Sequence, residues 1–179
     1  MKSLYSYLLL MLFTIVLNAG FIDGVREGFN DSYYSETDRN LFNSDKQDCR
    51  DGSARACNDL GTLYASGKGT STDLEIAHKL YKISCDWGFP IGCYNTGSSY
   101  SNGAGVDENK RLASQFYEKA CEKGVMQGCY NLGVLYNNGT GVNKNKKTAK
   151  KLANTACSNG LQAACTLLDK LIRQGYWKD

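Results

Sequence analysis

Eight cysteines, Cys49, Cys57, Cys85, Cys93, Cys121, Cys129, Cys157 and Cys165, fall in four pairs, with an offset of 8 inside each pair and 36 between pairs. A fixed period of this size is the mark of stacked supersecondary units, none of which can bury its apolar face alone. Other columns recur without a gap. Glycine returns at Gly52, Gly88, Gly124 and Gly160, and again at Gly61, Gly97 and Gly133. Tyrosine follows at Tyr64, Tyr100 and Tyr136, and then two loop glycines, as in Gly67 and Gly69. Alanine recurs at Ala77, Ala113 and Ala149, with a bulky apolar residue three on at Leu80, Phe116 and Leu152.

These columns read as two helices per unit. Leu60, Gly61 and Tyr64 put an apolar residue, a bare patch and a ring on neighbouring turns of one helix. A mid-helix glycine costs roughly 1 kcal/mol against alanine, so its recurrence asks for close helix–helix approach, with the alanine column opposite. The paired glycines end this first helix and turn the chain. Thr72, Asp73 and Asp107 are N-cap candidates for the second helices. Gly88 and its equivalents supply the second helix's stop, and Pro90, the only proline, suits the first turn of the next helix.

On this reading Cys85 lies in the last turn of one helix and Cys93 in the first turn of the next, so a short turn brings them face to face. A disulfide there staples the joint, and loop closure contributes about 2.5 kcal/mol on the chain-entropy estimate. Zinc pairs usually stand about two to four residues apart, and no C-x-x-C redox motif occurs. Four local disulfides are therefore expected, in an oxidising compartment.

The ends read differently. Residues 1–20, MKSLYSYLLLMLFTIVLNAG, have the basic, apolar and small-residue regions of a signal peptide, and the apolar run is shorter than the ~20 residues of a spanning helix. The expectation is an exported, secreted or periplasmic protein with no stable membrane insertion after the signal is removed. Residues 21–48 read as an N-terminal cap with Leu41 and Phe42 as its core. The units then run 49–84, 85–120 and 121–156, and 157–179 is a partial unit or C-terminal cap. In that last unit the glycine column holds Asp169, the tyrosine column Ile172 and the loop column Trp177. Net charge is +3, too little to argue for nucleic acid. It is unevenly spread, acidic from Phe21 to Leu60 and basic from Lys144 onward, which either orients a partner or marks two solvated faces.

The stretches CYNLGVLY at 129–136 and YEKAC at 117–121 resemble Sel1-like repeats, and the cysteine pairs narrow this to something similar to the Helicobacter cysteine-rich proteins. The resemblance implies an all-α fold, an α/α solenoid of tetratricopeptide-like helical hairpins with one disulfide per unit. It also implies an activity, that of a secreted β-lactamase or penicillin-binding protein.

The residues argue against that activity. A serine-type enzyme needs S-x-x-K with S-D-N and K-T-G companions. No S-x-x-K window exists; Thr148 to Lys151 is the nearest, and Lys147-Thr148-Ala149 echoes K-T-G at two positions. A zinc-type enzyme needs several imidazoles, whereas His78 is the one histidine and reads as a solvated helix-surface residue. No cofactor or metal is expected. The alternative to catalysis is a groove, because the first helices of a stacked array line one concave surface. Asp59, Thr62, Asn95, Ser98, Asn102, Asn131 and Asn138, with Tyr94 and Tyr130 beside them, point away from the glycine–tyrosine face. Asparagine donates and accepts at once and tyrosine adds stacking area, which suits an extended peptide. The expected role is binding a peptide or protein in this groove, by a monomer. A peptidoglycan-like or β-lactam small molecule is the competing ligand, and simple duplication would also produce the row.

Overall fold

The computed structural model describes residues 34–173. The signal-peptide expectation, the first part of the expected cap and the Trp177 column lie outside that range. Eight helices follow one another: α1 (Glu36–Arg50), α2 (Ala54–Ser66), α3 (Leu74–Asp86), α4 (Pro90–Asn102), α5 (Lys110–Glu122), α6 (Met126–Asn138), α7 (Lys146–Ser158) and α8 (Gln162–Arg173). Each packs against the next, giving three hairpins, α2–α3, α4–α5 and α6–α7, flanked by single helices. No helix of the described residues is long and apolar enough to cross a membrane.

The helix limits come from local chemistry. The hairpin second helices start at Asp73, Asn109 and Asn145, whose side chains accept from the backbone N–H of Ile76, Leu112 and Thr148, satisfying one donor of each open first turn. The cap therefore falls on Asp73 and not Thr72. In the next unit it falls on Asn109, two residues past the expected Asp107, because only the column of Asp73 is in register with the helix start. Pro90 takes the first turn of α4. The first helices end on Gly67, Gly103 and Gly139 at φ 70°, 66° and 74°, a left-handed cap that spares a side chain its steric cost.

The second loop glycine has a different duty. A Cβ on Gly69, Gly105 or Gly141 would collide with the backbone of Asp38, Leu74 or Lys110, three residues that are themselves 36 apart. Each loop thus rests on the start of the preceding second helix. By the same register α1 is a second helix, in line with α3, α5 and α7. Leu41 stands one period before Ala77, on the face that a second helix turns to its own first helix. The described residues supply α1 with no such partner, so Leu41 is 47% exposed while Phe42 is 2% exposed. The expected core role holds for Phe42 alone.

Four disulfides join Cys49–Cys57, Cys85–Cys93, Cys121–Cys129 and Cys157–Cys165, with Cα–Cα separations of 4.6, 4.4, 4.6 and 4.7 Å. Each ties the end of a second helix to the first turn of the following first helix. Aromatic contacts reinforce the first boundaries. Phe42 meets Tyr64 edge-on at 5.4 Å, and one period later His78 meets Tyr100 edge-on at 4.8 Å. First helices also touch one another, α2 with α4 and α6 with α8, and no pair of second helices packs to that extent. The array curves with the first helices inside.

Candidate binding groove

The inner face carries the polar row expected from sequence, but much of it is already engaged. Thr62, Asn102 and Asn138 are exposed, and Asp59, Tyr94, Asn95, Ser98, Tyr130 and Asn131 are partly buried. Asn95 donates through Nδ2 to Oδ1 of Asn58 at 2.8 Å, and Asn58 in turn donates to Asp59 at 3.1 Å. This is a hydrogen bond from one hairpin to the next. Asn102 donates to Ser98 Oγ at 3.3 Å, and Asn138 accepts from Asn137 at 2.9 Å. Tyr94 lies against the Tyr117 ring at 5.9 Å, and Tyr130 packs on the small core around Cys129 and Ala156. The two tyrosines are therefore wall rather than open stacking platforms.

Two groove residues on second helices were missed from sequence, Tyr81 and Tyr117. They lie flat over the mid-helix glycines: a Cβ on Gly61 would come within 2.9 Å of the Tyr81 ring, and one on Gly97 within 2.8 Å of the Tyr117 ring. The glycine column thus makes room for an aromatic ring as well as for the backbone of Ala77 or Ala113. Crossing at the glycine lets each hydroxyl emerge among the polar row. Tyr81 donates to Thr62 Oγ1 at 3.4 Å, and the Tyr117 hydroxyl lies near Ser98, Ser101 and Asn131. Burial raises the pKa of both phenols, so each stays neutral and both donates and accepts. The signal was present in the sequence, since Tyr81 and Tyr117 are one period apart.

The groove is polarised along its length. At the α1 end Asp45 sits near Asp59 and Asp48; burial, then these two neighbours, raises its pKa. At the α8 end Lys170 occupies the column of Thr62 and Ser98 and lines, with Thr166, Asp169 and Arg173, an open depression of about 450 Å³.

Neither the serine-type nor the zinc-type arrangement is gathered among the described residues. Thr148 lies in the first turn of α7, its backbone N–H bound to Asn145, and Ala149 is fully buried. His78 is not the solvated residue expected. It is 7% exposed, because its column is the one Phe42 fills in α1, and its Nδ1 has no hydrogen-bond partner among the described residues. Burial, then Lys82 and Lys79, lowers its pKa. No group of three or more His, Cys, Asp or Glu side chains that could hold a metal ion is gathered among the described residues. The β-lactamase expectation is without support in this geometry.

An array of helical hairpins, stapled at every joint and curved around a polar face, defines an α/α solenoid of the interaction-scaffold kind. The chain belongs to the Sel1 repeat family, whose model matches residues 54–88, 90–125 and 127–161. Solved structures agree. A protective antigen of uropathogenic Escherichia coli with an SLR fold aligns at TM-score 0.67 and 32% identity over 69% of this chain, which spans only 26% of that one. A Sel1 repeat protein from Oxalobacter formigenes gives TM-score 0.67 at 27% identity, covering 74% of this chain and 98% of that one. Helicobacter pylori cysteine rich protein B gives TM-score 0.59 at 28% identity, covering 73% and 96%. No curated protein sequence matches. Four disulfides mark the folded chain as a non-cytoplasmic protein, since such bonds persist in oxidising compartments.

Proposed function

We propose that this is an exported monomeric scaffold that binds an extended segment of a peptide or partner protein along the inner face of α2, α4 and α6. The observation that carries the reading is the fixing of the groove amides before any ligand arrives: Asn95 is held by Asn58 at 2.8 Å and Asn102 by Ser98 at 3.3 Å. An asparagine side chain offers two donors and an acceptor with two lone pairs, more than these contacts use, so each amide presents oriented capacity to a peptide backbone. Preorganisation of this kind lowers the ordering cost of binding. The acidic α1 end and basic α8 end favour a ligand of opposite charge gradient, which sets its direction. Export rests on the signal-like residues 1–20 and on the disulfides.

The test is selection of peptides displayed against the oxidised protein, followed by titration of the selected peptides. Asn102→Arg and Asn138→Arg, at exposed groove positions, are expected to weaken binding at least about tenfold, roughly the loss of one good contact, with the thermal midpoint unchanged. Equal binding by both variants would show that the peptides sit elsewhere and would remove the groove reading. Turnover of a chromogenic cephalosporin by the same preparation is expected to remain at the buffer rate.

A further inference from the structure

We propose that the boundary between the first two hairpins holds a side-chain pocket that takes one aliphatic residue, of leucine or valine size, from the bound peptide; this rests on the groove reading above. The origin of the pocket is a break in two columns. Leu63, Leu135 and Leu171 occupy one position of successive first helices and are 6%, 7% and 2% exposed, whereas the same position in α4 is Ser99, at 6%. One turn earlier, Leu60 and Leu132 alternate with Thr96, which is fully buried. Both hydroxyls are spent on their own helix: Thr96 donates to the carbonyl of Gly92 at 2.8 Å, and Ser99 to that of Asn95 at 3.1 Å. The exchanges therefore remove branched carbon from a packed seam without adding a polar group that asks for a ligand.

What is left is a cavity of about 160 Å³ lined by Ala65, Leu74, Ala77, Tyr81 and Ala104, with Asn95, Ser98 and Ser99. Leu74 is 43% exposed, so the cavity opens to solvent, and Asn95 and Ser98 belong to the groove row. One period on, the same positions hold Lys110, Val134 and Leu135, and the Lys110 ammonium is bonded to the carbonyl of Ser101. The second boundary therefore does not repeat this lining.

The lining selects its guest. An apolar cavity of roughly 150 Å³ admits a molecule the size of benzene, so leucine and valine fit. The one ionisable side chain lining it is Tyr81, which burial keeps neutral, and a charged guest would lose its hydration without a counter-ion. Asn95, Ser98 and the Tyr81 hydroxyl stand at hand for the guest's flanking peptide groups.

The test uses blocked pentapeptides, Gly-Gly-Leu-Gly-Gly and Gly-Gly-Ala-Gly-Gly, together with 3-methylbutanol, followed through the backbone amide resonances of the oxidised protein. The expected result is that the leucine peptide shifts the amides of Ser98, Ser99 and Ala104 and binds on the order of tenfold tighter than the alanine peptide, the scale of burying the extra carbons. Ser99→Leu, which restores the column residue, is expected to abolish that preference and to raise the thermal midpoint. Ser98→Val provides a second block should Ser99→Leu repack the seam. Equal binding of the two peptides, or a preference that survives both substitutions, would overturn the pocket and leave the groove standing. Shifts at these amides from 3-methylbutanol, with neither peptide bound, would keep an aliphatic cavity and overturn the peptide reading beneath it. No shift there from any of the three would overturn the pocket outright.

Discussion

The mid-helix glycines look identical in sequence but differ in what they face. At Gly97 a Cβ would stand 2.8 Å from the Tyr117 ring, whereas at Gly133 the nearest atoms, on Ala149 and Leu152, are 3.4 Å away because Ala153 replaces the tyrosine. Gly97→Ala is therefore expected to cost about 1–3 kcal/mol through overpacking. Gly133→Ala is expected to be neutral or to gain up to about 1 kcal/mol from helix propensity. Denaturant unfolding of the two variants separates them; equal losses would mean that the glycines serve backbone approach alone. His78 provides a second contrast. Its pKa in the folded chain lies below the ordinary 6.5, so the unfolded chain binds the proton more readily. Stability from this group is complete above pH 6.5, falls as pH drops toward the lower folded value, and levels off below it. His78→Phe, the residue its column holds at Phe42, is expected to flatten the thermal midpoint between about pH 7 and 5, above the ordinary carboxylate range. An unchanged slope would assign the dependence to other groups.

Among the elements, α4 is the weakest built. It has Thr96 and Ser99 where α2 and α6 carry leucine. Amide exchange is expected to be faster in α4 than in the equivalent turns of α6, since local opening follows apolar contact; equal protection would show that the Cys85–Cys93 staple and Pro90 compensate. The element plan itself was legible in the chain: helix turns, staples and Pro90 all follow from the spacing of glycine and cysteine. What escaped were properties that depend on a neighbour one period away. His78 reads as a surface residue until α1 shows Phe42 in its column and Tyr100 closes over it. Leu41 reads as core, but among the described residues α1 has no first-helix companion to cover it. Tyr81 and Tyr117 reach the groove only because they pass over Gly61 and Gly97, a path that helical periodicity within one element does not reveal.

At the scale of the whole molecule, stability is a sum over hairpins and their boundaries, and the boundaries are not alike. The first carries the cavity and the buried imidazole, while the one from α7 to α8 is filled by Leu171 against Ala149 and Ala153. The polar row was legible in the sequence, but its polarity was legible only as a charge imbalance along the chain until the columns placed Lys170 in line with Thr62 and Ser98 and Asp45 near Asp59. The loops that rest on the preceding helix have a wider consequence. Because Gly69, Gly105 and Gly141 each seat on the unit before, the register is reset at every turn, and array length can change only in whole modules. A deletion joining Gly88 to Val125 places Cys85 eight residues before Cys129, recreating a staple and a seat for the next loop, whereas a deletion at this joint that is not a whole number of periods breaks both. Recombination between the duplicated coding segments would thus yield shorter or longer proteins that still close, making groove length a quantity inherited in discrete steps.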